Sequence, residues 1–146
     1  MFAAIRIRGK VDTRGDIEDT MCMMNLKKVN NCVVLPDNET SRGMLQKTKD
    51  YITYGEMAFE TYEKMLMKWG RTTVGGRVNA DYLKEKKVTA KELFEGKTKY
   101  KDAGIKQPFR LHPPRKGFKS TKRPFTMKGD LGYRKEKIND LIERMI

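Results

Sequence analysis

Residues 2 to 8, FAAIRIR, put Ala3, Ile5 and Ile7 on one side of an extended chain and Ala4, Arg6 and Arg8 on the other. A two-residue period of this kind predicts a half-buried strand, here with a basic face or end. A polar loop, residues 9–15, follows, with Thr13 and Asp16 spaced like a helix start. Ile17, Met21 and Met24 recur at helical spacing and predict a helix from about 16 to 26. NCVVLP, residues 31–36, is a short β-rich run closed by proline and then by the turn and capping residues of DNETS. Thr40 or Ser41 is placed to cap a short helix with Arg42 and Gly43 in its first turn, and YITYG predicts a third strand. The first 55 residues therefore read β-α-β-α-β.

Beyond them, Ala58, Tyr62, Met65, Leu66 and Trp69 fall at i, i+4, i+7, i+8 and i+11, the cleanest amphipathic pattern in the chain, and Gly70 ends it. Its methionines and Trp69 read as core rather than as a cofactor box. Gly75 and Gly76 predict a tight turn, as in a hairpin. Two short helices are expected, at 80–85 and 90–95, the second with capping-box spacing from Thr89 to Glu92 and a stop at Gly96. Lys84, Lys86 and Lys87, beside Glu85, read as a solvated helix face. FRLH, residues 109–112, has the look of another strand. A closing helix from about 135 to 145 has the stripe Ile138, Leu141, Ile142 and Met145. There is no internal repeat and no low-complexity segment.

The chain has 146 residues, enough for one domain of ordinary size with an appended piece. Its net charge of +13 and pI near 9.8 point to a polyanion, with nucleic acid ahead of acidic protein. A membrane surface would call for a basic amphipathic helix, which the pattern lacks. No window approaches a membrane span and the N-terminus lacks a secretory apolar region, so a soluble protein is expected. Two cysteines and one histidine cannot supply a four-ligand zinc site, and no cofactor is implied. Cys22 and Cys32, in apolar surroundings, read as small buried hydrophobes in a reducing compartment.

The charge is concentrated between residues 105 and 134. Nine of the 32 Lys and Arg residues lie there against one carboxylate, Asp130: Lys106, Arg110, Arg115, Lys116, Lys119, Lys122, Arg123, Lys128 and Arg134. Pro108, Pro113, Pro114 and Pro124 exclude a long helix. Phe109, Phe118, Phe125 and Tyr133 argue against a simple disordered tail, which is usually poor in aromatics. Two readings stay open. One is a solvated flexible loop; the favoured one is an extended segment, pinned by prolines and aromatics, that offers cations to phosphates. Without its partner the segment is expected to be partly disordered, because few apolar residues hold eight net positive charges together.

Catalytic chemistry has little to work with. There is no Walker loop, GxSxG or paired-carboxylate motif, and His112 in LHPP reads as structural or phosphate-contacting rather than as a general base. An RNA-modifying or RNA-cleaving enzyme using His112, and a DNA-packaging protein, remain the alternatives to a structural RNA binder. Zinc-finger, zipper and RNP1-type signatures are missing, so shape and phosphate recognition are expected to outweigh base readout.

RGMLQK, then FRLHPPRKG, then LGYR followed by INDLIERMI, in that order, resemble the large-subunit ribosomal protein L-thirty family in its longer archaeal form, whose eukaryotic relative is L-seven. Residues 1–58 are similar to the small bacterial form and 59–146 to the archaeal and eukaryotic extension, with the basic loop 105–134 and the terminal helix. The resemblance implies an α+β fold: a βαβαβ core with an antiparallel three-stranded sheet and helices packed on one face, plus a helical and basic-loop C-terminal extension. It implies a non-enzymatic constituent of the large subunit in the cytoplasm, bound to large-subunit rRNA near 5S rRNA and beside neighbouring ribosomal proteins. RNA contact is carried over to Arg6, Arg8 and Lys10 and to Arg42 and Gly43, with Lys47 on the same helix. Charge extends the expectation to Arg110, His112, Arg115, Lys116, Lys119, Lys122, Arg123, Lys128 and Arg134.

Overall fold

The computed structural model describes residues 1–86 and 88–146. Strands β1 (Phe2–Arg6), β2 (Asn31–Leu35) and β3 (Ile52–Glu56) form the middle of a sheet, with β1 antiparallel to both neighbours. Helix α1 (Gly15–Met23) joins β1 to β2 and α2 (Glu39–Lys47) joins β2 to β3, which is the expected βαβαβ order. The later chain adds α3 (Phe59–Trp69), β4 (Arg71–Thr72), α4 (Ala80–Glu85), α5 (Ala90–Glu95) and β5 (Ile105–Lys106). It ends with β6 (Phe109–Arg110), β7 (Gly132–Tyr133) and α6 (Ile138–Met145). β6 adds antiparallel to β2 and β7 parallel to β3, giving the order β6-β2-β1-β3-β7, while β4 and β5 pair in a small ribbon of their own.

β1 is buried on both faces, not half-buried. Phe2 and Ala4 meet Met21, Met24 and Leu45 beneath α1 and α2. Ala3 and Ile5 meet Tyr62, Met65 and Leu66 of α3 and the stripe Ile138, Leu141, Ile142 and Met145 of α6. The two connecting helices thus lie on one face of the core sheet, and the extension's helices cover the other. Residue 4 is a small alanine, which lets a helix sit on the side where the pattern put the charges. All four residues of the α6 stripe are fully enclosed, and each such burial is worth about 1.5–3 kcal/mol.

Boundaries shift where capping was inferred from residue type. α1 starts at Gly15 after Arg14, and the Thr13 hydroxyl donates to the Gly9 carbonyl instead of capping. α2 starts at Glu39, so Thr40 and Ser41 lie inside its first turn. The Thr89–Glu92 capping box forms as expected, and Gly96 ends α5 at φ 75°. Cys32 is buried, with its thiol pushed up to about 12 by desolvation, whereas Cys22 is half-buried. Lys84 and Lys86 are exposed as a solvated face requires; Lys87 lies outside the described residues. No helix among the described residues is long and apolar enough to cross a membrane.

Strand direction decides where the basic segment goes. β6 runs antiparallel to β2 and β7 parallel to β3, so the chain leaves one edge and re-enters the other at the same end of the sheet. Residues 112–130 therefore cross the end at which β1 finishes and β2 and β3 begin. On the way, the backbone N–H groups of His112 and Arg115 donate to the carbonyls of Met145 and Arg144, at 3.2 and 3.0 Å. The open end of α6 is satisfied by the loop.

Candidate nucleic-acid interface

Seven of the expected contact residues stand exposed on or beside this crossing: Arg110, Arg115, Lys116, Lys119, Lys122, Arg123 and Lys128. Among the described residues none of them has a carboxylate within 4.0 Å. Arg8 and Lys10, in the loop after β1, are exposed at the same end. Arg8 lies over the Tyr51 ring, 4.9 Å from its centroid, and donates to the Asp50 carbonyl. Lys27 and Lys28 before β2 and Lys49 before β3 join them. Nothing in the local pattern marks these three for RNA, though their position just ahead of strand starts is a usable signal once the strands are drawn antiparallel. His112 is also exposed, its ring edge-on to Trp69 with centroids 4.6 Å apart.

Asp130 holds the loop together. Its carboxylate accepts the backbone N–H groups of Lys119 and Ser120 and pairs at 2.7 Å with Arg134. Both side chains of that pair are 4% exposed. Arg134 also donates to the Thr53 hydroxyl and the Asp130 carbonyl, and its guanidinium packs over the Phe125 ring. A second tie comes from Arg144, which reaches the carbonyls of Arg115 and Gly117. Gly129 closes the segment, since a β-carbon there would stand 2.0 Å from the Arg123 carbonyl oxygen. In the sequence Asp130 stands out only as the one negative charge of the segment, but its position four residues before Arg134 is the clue to a clamp.

Two expected contact residues are placed inside the protein and leave the candidate surface. Arg134 is the clamp's cation. Arg6 is 1% exposed, forked onto Glu18 at 2.8 and 3.1 Å, and donates to the carbonyls of Leu26, Lys27 and Arg8. Bonding and attraction to Arg6 hold the Glu18 carboxyl below its ordinary range. The physical reason is the same in both cases: a fork saturated by buried acceptors cannot also meet a phosphate.

Arg42, Gly43 and Lys47 are exposed on α2. Arg42 lines a depression with Tyr133 and with Phe2 and Glu56, the last two at the opposite end of the sheet from the loop. It forks onto Asp37 at 2.6 and 3.0 Å and holds that carboxyl below its usual range. Lys47 approaches Asp16 at 3.8 Å. Gly43 sits inside the helix with open space where a β-carbon would be. Nothing in the fold demands glycine at this position, where it weakens a helix by about 0.5–1 kcal/mol relative to alanine.

The chain is 43% identical to the large ribosomal subunit protein uL30 of Methanosphaera stadtmanae, with all of both chains covered. It is 45% identical to the uL30 of Methanococcus vannielii over 99% of each chain. The chain belongs to the uL30 family of large ribosomal subunit proteins. The uL30 of Nanoarchaeum equitans is also 45% identical, over 100% of this chain and 99% of that one. The family model described as ribosomal protein L30p/L7e matches residues 2–52, that is β1 to the start of β3.

Membership in uL30 makes the chain a structural part of the cytoplasmic ribosome and not an enzyme, which closes the reading of His112 as an acid or base. The full-length relatives extend the likeness through the clamp and α6. The uL30 segment matched by the family model contains Arg6, Arg8, Lys10, Arg42, Gly43 and Lys47, while the loop cations all lie beyond it.

Proposed function

We propose that this chain builds the large subunit by binding large-subunit rRNA, close to 5S rRNA, and that it supports subunit assembly. The loop cations Arg110, Arg115, Lys116, Lys119, Lys122, Arg123 and Lys128 contact phosphates together with His112, Arg8 and Lys10. Arg42, Gly43 and Lys47 form a second contact on α2, where the missing side chain of Gly43 admits RNA backbone. Arg6 and Arg134 position these groups from inside. The same reading divides the chain near residue 58 into a core that lays down the sheet and an extension that holds most of the free charge.

The observation that carries this reading is a row of cations without carboxylate partners on a loop that the protein itself has already clamped. These ties favour a segment ordered in advance, against the partial disorder expected from its charge, and such a segment loses less entropy on docking. Lys116 and Lys128 add support, because they adopt φ of 66° and 60°, a conformation that costs a non-glycine residue roughly 1–2 kcal/mol. Charged side chains are kept where glycine would be easier.

The test has two parts. The chain should sediment with the large subunit at high salt, and crosslinks from the loop should reach the large rRNA and 5S rRNA. Replacing Arg115, Lys116, Lys122 and Arg123 by glutamine should weaken binding to large-subunit rRNA. It should also flatten the salt dependence of the affinity by roughly 0.7–0.9 per lost contact. An unchanged slope removes the loop from the interface, and crosslinks confined to the large rRNA remove 5S rRNA from its neighbourhood.

A further inference from the structure

The ribbon of β4 and β5 sets cations against each other. Arg71 faces Lys106 across the ribbon, and on its other side Arg71 bridges to Arg77 around the turn that Gly75 makes at φ 100°. Thr72 and Ile105 point inward and are buried, so Arg77, Arg71 and Lys106 stand in a row on the outer face, all three exposed. Directly opposed residues of an antiparallel ladder share a face at close range, where like charges weaken the pairing. Among the described residues none of the three has a carboxylate within 4.0 Å. The row continues to Arg110 across a depression of about 340 Å³ also lined by Trp69 and Thr73.

We propose that the outer face of this ribbon is a second RNA contact, independent of the loop, in which Arg77, Arg71 and Lys106 bind successive phosphates of one strand. The inference rests on the rRNA-binding reading above and extends it to Arg71 and Arg77, outside the basic segment, and to Lys106 at its start. Three cations at the spacing of neighbouring strands, about 4.8 Å apart, form a line rather than a cluster. A line suits a regularly charged backbone better than a single anion or an acidic side chain. The ladder tolerates the repulsion because the bound polyanion removes it; in free protein the repulsion remains.

That asymmetry makes the proposal testable with the full-length chain. In R71Q/R77Q/K106Q the thermal midpoint of the free protein should hold or rise. Affinity for large-subunit rRNA should fall, with the slope of log affinity against log salt reduced by about 2 for three lost contacts. R71K/R77K keeps the charges and should keep the slope. If the triple variant leaves the slope unchanged while the loop variant flattens it, the ribbon is not a contact and the rRNA reading stands. If neither variant changes the slope, both fall. Should the triple variant prove unstable, R77Q alone, at the turn end of the ribbon, decides: a slope lower by about 0.8 supports the contact, and an unchanged slope overturns it.

Discussion

Around Leu141 the chain is held by apolar contact, with Ile138, Ile142 and Met145 beside it and the sheet beneath. Around Asp130 it is held by hydrogen bonds, from the backbone of Lys119 and Ser120 and from the Arg134 fork. The first arrangement consumes apolar side chains and hides them. The second needs one carboxylate and one guanidinium inside, and leaves every other cation of the loop facing outward. A cation-rich segment can therefore be shaped with little core of its own, chiefly through one buried pair.

The largest effect that would break this contrast is expected from Asp130→Asn, which leaves the Arg134 guanidinium buried without its counter-charge and should destabilise by about 3–5 kcal/mol. Hydrogen exchange should quicken chiefly over residues 113–131 while β1 and β2 stay protected. Uniform quickening would mean that loop and sheet open as one unit. Leu141→Ala is expected to cost about 3 kcal/mol through the cavity it leaves and to raise exchange throughout the sheet. If only the loop responded, the helix-covered face would not be the centre of stability.

A smaller effect sharpens the role of the other buried arginine. Glu18→Gln removes the charge facing Arg6 and should cost about 2 kcal/mol near neutral pH. The Glu18 carboxyl is depressed below 4.5 chiefly by its hydrogen bond from Arg6, so its stabilisation is complete above that pH and is lost as the pH falls through the lowered folded value. Denaturation curves of the wild type and E18Q should therefore converge toward acid; parallel curves would show that the pair contributes nothing through its charge. The smallest effect is expected from Arg42→Gln. Its bond to Asp37 is exposed, so the thermal midpoint should not move measurably while rRNA affinity falls. A drop in the midpoint would make Arg42 a structural residue like Arg6.

Arg6 and Arg115 show where sequence reading reached its limit. Both carry the same signal in the sequence, a cation offered to RNA, and as statements about charge both signals are sound. Whether a guanidinium faces solvent depends on what folds over it, and Glu18 and the carbonyls of Leu26 and Lys27 reach Arg6 only after α1 and the turn beyond it have formed. Local periodicity could not contain that fact.

What the sequence determined by itself was set by short-range chemistry. The stripes of α3 and α6, the three core strands, the Thr89–Glu92 cap and the stop at Gly96 all rest on neighbours within a few residues. The concentration of charge between 105 and 134 is likewise a property of composition. Tertiary structure alone decided that β6 and β7 would join opposite edges of the sheet and that the loop would cross the end where Arg8 and Lys10 emerge. It also decided that Asp130 would be a clamp and that Arg71 would face Lys106. Except for Asp130 and Arg134, four residues apart, these are pairings between residues far apart in the chain, chosen by strand direction and by the need to satisfy buried polar groups, and even that close pair is buried only because Thr53 and the backbone of Lys119 and Ser120 close around it.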